Sequence, residues 1–108
     1  MNIKFKDINP GNYPAKVTTI NEEKGPYGEF LRFNFTITDG DLKGWSFYGI
    51  VKPNPFKISK FYRWITTIMG EEPGEAFSIS SLIGKQCRIF LQKKVKDNKT
   101  YYSVADLL

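Results

Sequence analysis

Residues 87–104, Cys-Arg-Ile-Phe-Leu-Gln-Lys-Lys-Val-Lys-Asp-Asn-Lys-Thr-Tyr-Tyr-Ser-Val, carry the densest chemistry in the chain. Lys93, Lys94, Lys96 and Lys99 surround one turn, where only Asp97 opposes them, and Tyr101 and Tyr102 follow at once. Ammonium groups hold phosphates, and nearby rings stack on bases. Together these are the means by which a protein grips an unpaired nucleic-acid strand. A solvated hairpin tip kept soluble by lysines would look the same locally, so the rest of the chain has to decide between the two readings.

Composition narrows the chemistry. Sixteen Lys and Arg against eleven Asp and Glu give a net charge of +5, compatible with a polyanionic partner. Nine Phe, six Tyr and two Trp make 16% of the chain aromatic, more rings than a small core usually needs. There is no His and a single Cys, Cys87. Zinc sites built from Cys and His, catalytic triads that need His, and an internal disulfide are therefore excluded. Cys87 alternates with polar neighbours and reads as a small buried apolar residue. Glu22, Glu23, Glu71, Glu72 and Glu75 fall in Gly- and Pro-containing loops, where acids are ordinarily solvated, and no Walker-type phosphate loop is present. The expectation is a protein that is not an enzyme and uses no cofactor or metal. The N-terminal residues do not form the apolar core of a signal peptide, and no run is long enough for a transmembrane helix. The chain therefore reads as cytoplasmic, with no membrane partner.

At 108 residues the chain is expected to be one domain, residues 1–108, without internal repeats or linkers. Pro10-Gly11-Asn12 marks a turn before a first strand, about Tyr13 to Ile20. A loop over residues 21–29 carries Tyr27 at its tip. From Phe30 to Thr38, Leu31, Phe33, Phe35 and Ile37 alternate with Arg32, Asn34 and Thr36, the period of a half-buried strand. Asp39-Gly40 turns the chain into a third strand, Trp45 to Val51, that is apolar on both faces. Trp45, Phe47 and Val51 share one side and Tyr48 and Ile50 the other, and periodicity alone does not say which side is core.

Asn54 reads as a helix N-cap with Pro55 at the first helical position. Phe56 to Met69 then has helical period, with Ile58, Phe61, Tyr62, Ile65, Ile68 and Met69 on one stripe and Gly70 as the stop. Trp64 falls on the flank of that stripe beside Lys57 and Lys60. It is either a contact surface for a partner or a ring covering the edge of the core. A helical turn over Ser78 to Ile83 precedes a fourth strand, with Cys87, Ile89 and Leu91 inward and Arg88, Phe90 and Gln92 outward. The fifth strand, Thr100 to Ala105, turns Tyr102 and Val104 inward and Tyr101 and Ser103 outward.

Three strands, one helix and a two-stranded hairpin make an all-β chain with one helix. That is the element order of the OB-fold, a partly open five-stranded Greek-key barrel with its helix between strands 3 and 4. Such a barrel binds ligands on the face of strands 2 and 3, flanked by the loops after strands 1 and 4. For stacking the candidates are Trp45, Tyr48 and Tyr27, then Phe47, Tyr101 and Phe90. For phosphate contacts they are Arg32, Lys52, Arg88, Lys93, Lys94, Lys96 and Lys99.

Three stretches carry a resemblance to a family. Pro10-Gly11-Asn12-Tyr13-Pro14-Ala15-Lys16-Val17, then Leu31-x-Phe33-x-Phe35-x-Ile37-x-Asp39-Gly40, then Leu82-Ile83-Gly84-Lys85-Gln86-Cys87-Arg88-Ile89 resemble, in that order, the small phage-type single-stranded DNA-binding proteins of the OB-fold. The resemblance implies a protein that coats single-stranded DNA during DNA replication, recombination or repair, with replication or recombination proteins as partners. Many such proteins end in an acidic recruiting tail, whereas this chain ends Ala105-Asp106-Leu107-Leu108. No base-reading pair is evident, so little sequence preference is expected, and RNA would satisfy the same groups. The rival reading is a protein-interaction or oligomerisation module on the same barrel, and a homodimer is compatible with either.

Overall fold

Five antiparallel strands form one sheet in the order β3-β2-β1-β4-β5, in a computed structural model that describes residues 1–108. The strands are β1 (Gly11–Gly25), β2 (Gly28–Ile37), β3 (Ser46–Val51), β4 (Gln86–Lys96) and β5 (Lys99–Leu107). One helix, α1 (Lys60–Met69), and a short 3-10 turn, Ile79–Leu82, lie between β3 and β4 in the chain. β1 is the hub, pairing with β2 from Ala15 to Gly25 and with β4 through Gly11 to Lys16. Bulges interrupt the ladders between Val17 and Thr19 and between Phe90 and Leu91. Such bulges sharpen the bend of a strand, and the sheet curls until β3 and β5 approach each other. They do not hydrogen-bond, so the sheet is not closed.

The alternation in β2 sets the inside of this curl. Leu31, Phe33, Phe35 and Ile37 are buried in one cluster with Ala15 and Val17 of β1, Val51 of β3, Ile89 of β4, and Val104 of β5. Both long hairpins extend past this core, giving an elongated molecule 56 × 32 × 20 Å across.

The helix closes the core from a different angle than its sequence suggests. It starts at Ser59, whose side chain accepts the Tyr62 N–H at 3.1 Å, and not at Asn54. Asn54 Oδ1 instead accepts the Phe56 N–H at 2.9 Å, an Asx turn that precedes the helix. Phe56 and Ile58 therefore lie outside the helix and are exposed. With them removed, the buried stripe becomes Trp64, Ile65 and Ile68, and Trp64 is fully buried at its centre. The Trp64 ring meets Phe33 edge-on at 5.5 Å and Phe35 at 5.9 Å. A partner surface built on Trp64 is thereby excluded.

Gly49 in β3 makes room for that ring. A Cβ at this position would come within 2.6 Å of the tip of the Trp64 indole and 3.0 Å of the Val104 carbonyl oxygen. A glycine at mid-strand thus sets the distance between β3, α1 and β5, and so the width of the seam where the sheet stays open.

A candidate nucleic-acid interface at the open seam

Strand parity decides which rings reach solvent. In β3, Phe47, Gly49 and Val51 turn inward and Tyr48 and Ile50 outward. Phe47 packs against the core cluster, so it is a supporting ring and not a free stacking platform. Trp45 lies just before β3 and not within it. Its N–H donates to the Leu42 carbonyl at 2.9 Å and its carbonyl accepts the Ile37 N–H at 2.8 Å, closing the turn from β2. Its indole is 55% exposed and lies parallel to Phe47 at 6.4 Å.

Tyr48 is held by its neighbours on β2. The Arg32 guanidinium lies 4.6 Å from the centre of the Tyr48 ring and 3.4 Å from a Glu23 carboxylate oxygen. A cation over an aromatic face is attractive, so Arg32 covers one face of the ring and fixes its tilt. Asn34, opposite Tyr48 in the ladder, donates to Thr19 Oγ1 at 2.7 Å. Arg32 Nε is the one buried side-chain polar atom of the chain without a hydrogen-bond partner. A guanidinium carries five donors, and this one uses few of them within the protein.

The basic hairpin supplies the opposite wall. Asp97 and Asn98 occupy its tip with φ of 52° and 62°. Two successive positive φ values are the signature of the type I′ turn, which fixes a two-residue hairpin and hence its register. In that register Lys94 lies opposite Tyr101, and Lys96 opposite Lys99. Gln92 donates to Ser103 Oγ at 3.2 Å on the same face. Lys93 pairs with Tyr102 and shares the parity of Leu91 and Val104, so it leaves from the other face.

The two walls meet across the seam. A cleft of about 320 Å³ between β3 and β5 is lined by Tyr48, Ile50, Lys94, Lys96, Tyr101 and Ser103, over a floor of Gly49 and Val104. It brings together two outward rings and two ammonium groups from strands some fifty residues apart, with Arg32 behind Tyr48. The basic field extends along α1. Burial holds the Lys60 ammonium below the usual lysine range, and although Asp106 opposes this, the nearby Arg63 and Lys94 charges add to it. Lys60 Nζ lies 4.8 Å from the Trp64 ring centre, and Arg63 grips Asp106 through two contacts of 2.9 and 3.0 Å.

Other sequence candidates lie elsewhere. Tyr27 is 88% exposed at the two-residue turn joining β1 to β2, where the loop expected over 21–29 is instead continuous strand on both sides. Arg88 and Phe90 project from the outer face of β4 opposite Pro14 and Asn12, outside the cleft lining. Lys52 is exposed just after β3, and Trp45 lines a separate recess with Tyr13, Leu42 and Asp41. Ile50 and Ser103 share the outward parity of Tyr48 and Tyr101 already in the sequence, but not as candidate binding residues, and Lys60 stands there only as a neighbour of Trp64; Asp106 has no role in the sequence reading. Nothing local signals that Asp106 accepts the Trp64 Nε1–H at 3.1 Å.

Burial tends to raise the pKa of Asp106. Hydrogen bonds from Arg63, the Leu107 N–H and Trp64, with the Arg63 charge, outweigh it and hold the carboxyl below its usual range. Burial alone pushes the Cys87 thiol up to about 11. No helix is long and apolar enough to cross a membrane. No known family model matches the chain, and no curated protein matches its sequence.

Proposed function

We propose that this chain is a small cytoplasmic OB-fold protein that binds and coats single-stranded DNA without catalysis. The observation that carries the reading is the seam cleft, where Tyr48 and Tyr101 stand with Lys94 and Lys96 between two unpaired strand edges. The order of strands and helix, with β1 as hub and the curl left open between β3 and β5, supports the OB-fold assignment.

The mechanism follows from the side chains. Arg32 occupies one face of Tyr48, and a base stacks on the other; a second base stacks on Tyr101. Each such stack contributes about 1–3 kcal/mol. Lys94, Lys96 and the under-used donors of Arg32 hold the intervening phosphates, and each neutralised phosphate steepens the salt dependence by about 0.7 in log–log slope. In a duplex the base faces are already covered by neighbouring bases, so stacking selects the single strand. None of the lining groups forms a fixed pair suited to one base edge, which gives little sequence preference, and coating of this kind serves replication, recombination or repair.

Fluorescence anisotropy of a labelled oligothymidine, against a duplex of equal length and at two salt concentrations, tests the reading. Tight, salt-sensitive binding of the single strand with much weaker duplex binding is expected. Equal binding to both, or none at physiological salt, rejects it.

A further inference from the structure

The largest cavity of the molecule is not the seam cleft. It is a groove of about 610 Å³ where the far end of the β1–β2 hairpin faces the start of α1. Its floor is apolar, with Phe30, Leu31, Phe61 and Ile79, and its rim carries three carboxylates, Glu22, Glu23 and Glu29, against one cation, Lys24. On a chain of net charge +5 this is a local inversion of sign. The two ion pairs of the chain, Arg32–Glu23 and Arg63–Asp106, leave Glu22 and Glu29 unpaired.

The N-terminal segment has the complementary chemistry. Ile3, Lys4, Phe5 and Lys6 alternate apolar and basic side chains, and they belong to no strand or helix. Ile3 and Phe5 are 66% and 90% exposed, and Lys4 and Lys6 make no ion pair. An extended segment of this pattern puts its apolar side chains on one face and its ammonium groups on the other. It matches a groove with an apolar floor and an acidic rim.

As placed in the structure, the segment does not lie in the groove of its own chain. Lys6 lines the recess beside Trp45, whose carbonyl is bonded to Ile37 at one end of β2. The groove lies around Leu31, six residues away along β2, or about 20 Å at strand spacing. With Lys6 in that recess, the fully extended chain back to Ile3 spans only about 10 Å and falls short of the groove.

We infer that residues 3–6 of one molecule dock in the Glu22–Glu29 groove of a second copy of this chain. Arm and groove are different surfaces, so the contact is head-to-tail and builds an open row in place of a closed dimer. Four to six residues bury far less than the roughly 1,200 Å² of a stable complex, so free molecules stay largely monomeric. Neighbours held side by side on any scaffold meet at millimolar effective concentration, where such a contact is populated. The inference does not depend on what the seam cleft binds.

An N-acetylated, fluorescently labelled peptide of residues 2–8, titrated with the full chain, tests it. Saturable binding is expected, weakened at least about tenfold by Glu22→Lys/Glu29→Lys, as reversal of facing charges requires. A peptide carrying Lys4→Glu and Lys6→Glu should then recover affinity for the reversed protein, which also establishes that this variant is folded. Absence of saturable binding up to millimolar protein overturns the inference. So does a scrambled peptide that binds equally well, or loss of affinity that the swapped peptide does not restore.

Discussion

Replacing Gly49 by Ala adds one methyl group where the structure has no space for it. The new Cβ would lie 2.6 Å from the Trp64 ring and 3.0 Å from the Val104 carbonyl oxygen. Carbon atoms in contact normally sit about 3.5–4.0 Å apart, so the indole would have to retreat by about 1 Å. It is poorly placed to do so: Phe33 and Phe35 press on its faces and edges, and Asp106 holds its Nε1 at 3.1 Å. The second neighbour is backbone and can move only with β5. Overpacking of this kind costs about 1–3 kcal/mol. The relief of glycine's unfolded-state entropy returns about 0.5–1 kcal/mol of that. A net loss of up to about 2.5 kcal/mol, centred near 1 kcal/mol, is expected, read as a lower midpoint in urea unfolding with the slope unchanged. Gly74→Ala is the control, because no atom lies within 4 Å of its new Cβ and its φ is not positive. It should leave stability within about 0.5 kcal/mol. If Gly49→Ala unfolds at the wild-type midpoint, Trp64 is not the rigid plug described above.

Asp106 is held below its ordinary carboxyl range. Its contribution to stability is therefore full above the unfolded-state value of about 3.9 and is lost as pH falls through the folded-state value. Asp106→Asn should flatten the acid limb of stability against pH in thermal melts, and an unchanged limb would refute its role. Cys87, with its thiol pushed up to about 11, should react with iodoacetamide at neutral pH on the order of a hundredfold more slowly than after unfolding in urea. Equal rates would mean that the thiol is not shielded. Lys94→Ala and Lys96→Ala should each lower the salt slope of oligothymidine binding by about 0.7. Lys93→Ala should leave it unchanged, because Lys93 leaves from the opposite face. Equal effects from Lys93 and Lys94 would contradict the strand parity.

Much of the sheet could be read along the chain because strand parity is local. Leu31 to Ile37 carry their own alternation, and it correctly separates the buried set from Arg32, Asn34 and Thr36. The helix is less legible for a physical reason. Asn54 and Pro55 have the chemistry of a helix start, yet Ser59 caps α1 and Asn54 closes an Asx turn. Counting Ile58 in the stripe shifts its centre away from Trp64, which is fully buried. The third strand stayed undecided between its two faces until Gly49 settled it, since only the inward face must leave room for the indole. No single stretch of sequence encodes the seam cleft; the element order only sets the basic hairpin beside the face of the second and third strands. The cleft arises where β3 and β5 come together without hydrogen bonding, a consequence of the curl of the whole sheet, although Tyr48, Lys94, Lys96 and Tyr101 were each singled out from sequence. The acidic groove is not legible in the sequence because Glu22 and Glu23 read as loop acids, whereas β1 continues through them to Gly25.

The most direct test of the account is the affinity of Tyr48→Ala and Tyr101→Ala for a labelled oligothymidine, with circular dichroism and melting temperature measured alongside. Each ring is expected to contribute one stack of about 1–3 kcal/mol, so each variant should bind roughly 5- to 150-fold more weakly while remaining folded. If both bind within about twofold of the wild type, a factor that falls below any stacking contribution, the seam cleft is not where a single strand binds.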